Sequence, residues 1–124
     1  MSETLKGGCL CGACRYDVAG PPDFAVQCYC SDCRKVSGGG HLPQLAVSSG
    51  GLNISGPVGT YTARSDAGND LAFKFCKDCG SPLLKTTSKL ADTVFVMVGS
   101  LDDPAIYQPQ YKAFEEARLP WDEG

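Results

Sequence analysis

Apolar and polar residues alternate in short runs along most of this chain, with glycine, proline and polar clusters between the runs. From Ala13 to Val18 the alternation puts Cys14, Tyr16 and Val18 on one face and Arg15 and Asp17 on the other, the period of a half-buried strand. Gly20-Pro21-Pro22 marks a turn, and Asp23 to Cys28 reads as the next strand. Further strands are expected over His41 to Ser48 and Leu52 to Ser55, around a turn at Gly50-Gly51, and over Val58 to Ala63. Ser65 to Asp70 is a polar loop. Leu71 to Phe75 and Pro82 to Thr86 form a hairpin with Cys76 to Gly80 at its tip. The run Thr93 to Val98 is the strongest strand former and is expected at the centre of a sheet. Ser31 to Val36 predicts one helical turn capped by Ser31 and ended by Ser37 to Gly40. Gly7, Gly8 and Gly12 permit tight turns around Cys9 and Cys11. After the turn at Asp102-Asp103-Pro104, Tyr107 to Trp121 reads as a short strand or extended tail. The pattern predicts a mainly β fold, a small antiparallel arrangement of short strands with little helix.

Length and charge narrow the functional classes. Residues 1–124 fit one domain with a core of its own. The formal charge of −3 lacks the basic footprint of a nucleic-acid binder, and Arg34-Lys35 is too short a basic run for an anionic membrane. The longest hydrophobic run, Val94 to Val98, is far below membrane-spanning length. The start MSETLKGG has no apolar core of a secretory signal, so a cytoplasmic location is expected. Eight cysteines in a reducing compartment point to metal or redox chemistry rather than a disulfide framework.

The cysteines fall into clusters at ligand spacing. Cys76-x-x-Cys79-Gly80 is a metal knuckle that supplies two thiolates and needs a distant pair to complete four. Cys9 with Cys11, or Cys11 with Cys14, can be that pair. The second has the commoner zinc spacing, whereas the strand phase turns Cys14 into the core and favours the first. Cys28, Cys30 and Cys33 form a C-x-C-x-x-C cup. A spacing of two at a strand end puts Cys28 and Cys30 on one face, and a turn through Ser31-Asp32 returns Cys33 to them. Three protein ligands with an open position is the pattern of catalytic zinc, and four is that of structural zinc. His41, the only histidine, or Cys14 would close the cup if either ligated it. An iron–sulfur cluster also fits cysteines alone, while a thioredoxin-like role lacks its βαβ surroundings. Trp121, the only tryptophan, is expected to pack.

The segments GGCLCGACRY, CYCSDCRKVSGG, FCKDCGSPL and VGSLDDP occur in this order, and the chain resembles the glutathione-dependent formaldehyde-activating enzyme family, also known through centromere protein V. The resemblance spans about Gly7 to Trp121. It implies a β-tent stapled by two Zn²⁺ ions. Cys9, Cys11, Cys76 and Cys79 would form the structural site, and Cys28, Cys30 and Cys33 the catalytic site. Cys14 would have no ligand role. The implied reaction is that of a carbon–sulfur lyase run in reverse, joining the small-molecule thiol glutathione to the aldehyde formaldehyde as S-hydroxymethylglutathione. A related lyase on another thiol adduct, or a non-catalytic two-zinc module for a protein partner, are the competing readings. Arg34 and Lys35 are candidates for a glutathione carboxylate. The chain departs from the family at Tyr29, where histidine is frequent, and at Pro109 to Ala113, which lacks the usual histidine.

Overall fold

The computed structural model describes residues 4–122. In chain order its regular elements are β1 (Thr4–Gly8), β2 (Arg15–Ala19), β3 (Phe24–Cys28), α1 (Ser31–Ser37), β4 (Leu42–Ser48), β5 (Asn53–Ser55), β6 (Val58–Arg64), β7 (Asp70–Cys76), β8 (Pro82–Thr87), β9 (Thr93–Met97) and β10 (Tyr111–Ala113). They make two open sheets, one of order β1-β2-β5 and one of order β10-β3-β4-β9-β8-β7-β6. Pairing is antiparallel except between β10 and β3, which run parallel. The mainly β architecture expected from the alternation is thus observed, and β9 lies at the centre of the larger sheet. Among the described residues no helix is long and apolar enough to cross a membrane.

Alternation along each strand gives the larger sheet two different faces. One carries Ala25, Leu45, Val47, Val94 and Val96 and packs on Leu5, Tyr16 and Val18 of the small sheet. Fully burying each valine or leucine among them contributes about 1.5–3 kcal/mol. The other face carries Cys28, Leu42, Met97, Leu71 and Phe73, a separate cluster around the thiol cup.

Three expectations change. Gly7 and Gly8 lie inside a strand, because the small sheet leaves no room for a side chain at Gly7. A Cβ there would collide with the Tyr16 hydroxyl and the Ser100 carbonyl. The turn falls instead at Gly12, with φ of +84°. Helix α1 is longer than one turn, and its cap is Cys30 rather than Ser31. Cys30 has the extended backbone of a cap (φ −64°, ψ 159°), and its Sγ accepts from the Cys33 N–H. Gly38 in the left-handed region ends the helix. Trp121, expected to pack, is 67% exposed.

Candidate functional site

The strands bring two sets of cysteines together. Cys9 and Cys11 sit on the turn after β1, closed by the Gly12 N–H on the Cys9 carbonyl at 3.2 Å. Cys76 ends β7, and the knuckle to Cys79 is closed by the Gly80 N–H on the Cys76 carbonyl at 2.8 Å. All four Sγ atoms lie within 4.8 Å of one another. The Cys9–Cys11 and Cys11–Cys76 sulfurs are 3.6 and 3.8 Å apart. A tetrahedral zinc with Zn–S bonds of about 2.3 Å has sulfur–sulfur edges of about 3.8 Å, so this donor set fits the ion. Backbone donors already point at the sulfurs, Cys14 N–H at Cys9 Sγ (3.2 Å) and Asp78 N–H at Cys76 Sγ (3.3 Å). The Cys14 N–H holds the Cys9 thiol below its ordinary range. The Ser81 hydroxyl, 3.2 Å away, is the main cause that brings Cys79 down to about 5. Cys14 is fully buried in the core beside Tyr16 and Val18, and burial pushes it up to about 12. The four-sulfur set therefore contains Cys9 and Cys11 rather than Cys14.

The second set is built from one segment. Cys28 is the last residue of β3, Cys30 caps α1, and Cys33 lies in the first turn of α1. Their sulfurs lie within 4.8 Å of one another, with Cys28 and Cys30 at 3.4 Å. Among the described residues no fourth histidine, cysteine or carboxylate joins them. With only protons present, the Cys33 thiol donates to Cys28 and brings it down to about 6. Cys33 is pushed up by that same pairing and by burial, and Cys30 is raised mainly by burial. The cup thus concentrates one negative charge on Cys28, in a setting suited to a divalent cation.

His41 does not close the cup. Its Nδ1 is 2.8 Å from Asp122 Oδ2 and its Nε2 is 3.1 Å from Gln27 Nε2, so both ring nitrogens are engaged. The Tyr29 ring, fully buried, lies 5.1 Å from the imidazole. This network ties the C-terminal tail to the strand end that presents Cys28. Cys14 is buried in the core and belongs to neither cysteine set, so neither candidate closes the trio.

Sequence reasoning used the VGSLDDP segment for the family resemblance and read Asp102-Asp103-Pro104 as a turn, without assigning contacts to Ser100 or Asp102. Ser100 Oγ lies 2.6 Å from the Tyr16 hydroxyl, and Asp102 makes two contacts with Arg15, which join the end of β9 to the small sheet. A groove of about 500 Å³ beside the four-sulfur set is lined by Cys9, Leu10, Arg15, Ser37, Leu42 and Met97 among others. It also missed Lys85, which lies far from the cup along the chain but on the cup's own sheet face. Its one signal in the sequence is a lysine in the middle of a strand, after Leu83 and Leu84.

Residues 4–117 match the family described as glutathione-dependent formaldehyde-activating enzyme. A Halomonas elongata protein named "Putative glutathione-dependent formaldehyde-activating enzyme" is 31% identical over 111 residues, covering 86% of this chain and 71% of its own length. A crystal structure of a Rhodobacter sphaeroides protein shares the fold with a TM-score of 0.65 at 19% identity, over 86% of this chain and 98% of that one. With the family match covering most of its length, this chain belongs to the glutathione-dependent formaldehyde-activating enzyme family.

Proposed function

We propose that the protein is a zinc-dependent enzyme of the carbon–sulfur lyase type that joins a glutathione-like thiol to formaldehyde. The observation that carries this reading is the three-sulfur cup with no fourth donor among the described residues. In this reading Cys9, Cys11, Cys76 and Cys79 hold a structural Zn²⁺ that staples the turn after β1 to the β7–β8 hairpin. Cys28, Cys30 and Cys33 hold a catalytic Zn²⁺ from one side. Bound there, with three thiolates already donating charge to it, zinc would serve to hold an incoming sulfur as a thiolate and template it beside the aldehyde, more than to polarise the carbonyl.

The chain's own part is positioning. Leu42, Met97, Leu71 and Phe73 wall the cup and keep water from its buried side. The Gln27–His41–Asp122 network fixes the end of β3, and the Cys33 N–H fixes the Cys30 sulfur. The addition forms one C–S bond to the carbonyl carbon, and the thiol proton ends on the carbonyl oxygen. Asp32 is exposed and both nitrogens of His41 are engaged, so no general base is assigned and the proton travels through solvent.

Two measurements test this reading. X-ray absorption on the two-zinc protein is expected to show a water or small ligand completing the second site; a fourth protein atom there overturns the open site. A Cys33→Ser variant is expected to keep its fold and one zinc but lose turnover above a zinc-free blank. Full thiol–aldehyde turnover in that variant overturns the assignment of the cup.

A further inference from the structure

The face of the larger sheet that carries the cup also carries two polar groups that the reaction has not used. Along this face Cys28 is opposite Leu42, Gln44 is opposite Met97, and Ala46 is opposite Phe95. Phe95 in turn is opposite Lys85, and Lys85 is opposite Phe73. Directly paired residues of a sheet share a face, so Lys85 projects on the side of Cys28. Phe73 links the two, since it packs in the apolar cluster with Cys28 and Cys33 and also lies under the Lys85 ammonium.

Lys85 is half-buried. Its Nζ is 5.6 Å from the Phe95 ring centroid and 6.0 Å from that of Phe73. Among the described residues it makes no salt bridge and no hydrogen bond to a carboxylate or carbonyl. Cation–π contact holds such an ammonium in place without neutralising it. On the same face Gln44 is 2% exposed, and its Oε1 is buried with no hydrogen-bond partner. A buried acceptor left unpaired is costly, so this face is short of a donor as well as of an anion.

We propose that Lys85 is the specificity-determining residue of the thiol site: it binds a carboxylate of the substrate whose sulfur is held at the cup, and Gln44 Oε1 takes an N–H of the same molecule or of a water it traps. The substrate class is an amino-acid or peptide thiol carrying a free carboxylate and an N–H. This rests on the cup reading given above and moves carboxylate recognition from the neighbouring Arg34 and Lys35 to a residue three strands away from β3 across the sheet. Lys35 is exposed, and Arg34, which is partly buried, shares no sheet face with Phe73 and Phe95. Lys85 has no acidic partner among the described residues and is anchored on two rings on the cup's own face of the sheet.

The test compares glutathione with its diethyl ester, which keeps the thiol and loses the free carboxylates. Formaldehyde-dependent turnover above a zinc-free blank is measured for wild type, Lys85→Met, Lys85→Arg and Lys35→Met. Binding of the unreactive thioether S-methylglutathione to each two-zinc protein is measured by calorimetry. Lys85→Met keeps the apolar stem that covers the rings. It is expected to raise KM for glutathione about tenfold or more at little change in kcat, the size of one lost hydrogen bond to a charged group. It is expected to leave the ester unaffected and to weaken S-methylglutathione by the same factor, with Lys85→Arg restoring most of both. Lys35→Met is expected to change neither. Equal effects on glutathione and ester, or no effect on either, overturn the proposal. Should Lys85→Met lose zinc or fold, wild type still decides: glutathione and ester of equal KM overturn it, and a tenfold preference for the free acid supports it. Turnover no better than the blank with Lys85-dependent binding would sink catalysis and leave the subsite standing. Full turnover with Lys85-independent binding would sink the subsite alone.

Discussion

Removing the Asp122 carboxylate tests whether the C-terminal tail holds the cup in place. Asp122 Oδ2 lies 2.8 Å from His41 Nδ1, and the two side chains are 9% and 20% exposed, so the bond is shielded from water. A hydrogen bond to a charged group contributes about 1.5–3 kcal/mol. For a chain of 124 residues an unfolding entropy of about 2.1 cal/mol/K per residue gives ~0.26 kcal/mol per degree. Asp122→Ala is therefore expected to lower the melting temperature by about 6–12 °C. The carboxylate of Asp122 also packs against Gly40, where a Cβ would have no room, so some loss comes from packing as well. A double-mutant cycle separates the two contributions. His41→Ala, Asp122→Ala and the double variant are melted in the same excess of zinc, because bound metal adds its own stabilisation by mass action. A direct bond predicts a coupling of about 1 kcal/mol or more, with the double variant hardly worse than either single one. Zinc content after gel filtration is the second readout. The other imidazole nitrogen meets Gln27, the neighbour of Cys28, so both single variants are expected to retain the four-cysteine zinc and lose part of the second. Coupling below about 0.5 kcal/mol, or unchanged zinc content in both, would refute the idea that the tail supports the cup.

Two further outcomes follow from the cysteine environments. In the metal-free protein Cys28 is brought down to about 6 while Cys30 and Cys33 are raised, so at pH 7.5 the cup holds one thiolate and two thiols. Zinc entering a Cys9→Ser protein, where only the cup remains intact, is expected to release about two protons, read by calorimetry in buffers of different ionisation enthalpy. Zinc affinity then rises with pH, with a slope of about two protons above pH 6 and about three below it. A release of three protons at pH 7.5 contradicts the charge on Cys28. Cys14→Ala is expected to keep two zincs per chain, because the Cys14 thiol packs in the core and lies outside the four-sulfur set. Loss of one zinc by elemental analysis would return Cys14 to the ligands.

The alternation along β2, β3 and β9 was enough to place Tyr16, Val18, Val94 and Val96 inward, because a strand's period of two needs no knowledge of its partner. Cysteine spacing likewise located both sets, since the ligands of a knuckle or a cup are local. What the sequence hid was set by long-range contact. Gly7 and Gly8 look like a turn until Tyr16 and Ser100 are seen to occupy the space of a side chain. Ser31 looks like the better helix cap, but the sulfur of Cys30 already stands where the Cys33 N–H needs an acceptor. His41 offers two ring nitrogens to any nearby metal until Gln27 and Asp122 are found on them, and Asp122 is 81 residues away. Lys85 is an ordinary lysine in the sequence, and only the register of β4, β9, β8 and β7 puts it on the face of the cup.

The origin of each ligand set explains why one is complete and the other has a side to spare. Cys9 and Cys11 come from one turn, and Cys76 and Cys79 from a hairpin of the other sheet. Each segment covers half of a tetrahedron, so four sulfurs meet only if the two sheets are brought together, and binding an ion there is coupled to docking them. Cys28, Cys30 and Cys33 all come from the β3–α1 junction. One strand end and one helical turn can surround three corners, since the chain leaves in a single direction. A fourth corner would need a visit from another segment. The nearest candidates are directed elsewhere: His41 onto Gln27 and Asp122, and Cys14 into the core. The segments that do approach the cup bring Leu42, Met97, Leu71 and Phe73, which exclude water without offering an anionic donor. A four-sulfur set drawn from two sheets and a cup drawn from one junction are thus different products of the same chain path, and only the cup leaves the corner that the proposed function assigns to a substrate sulfur.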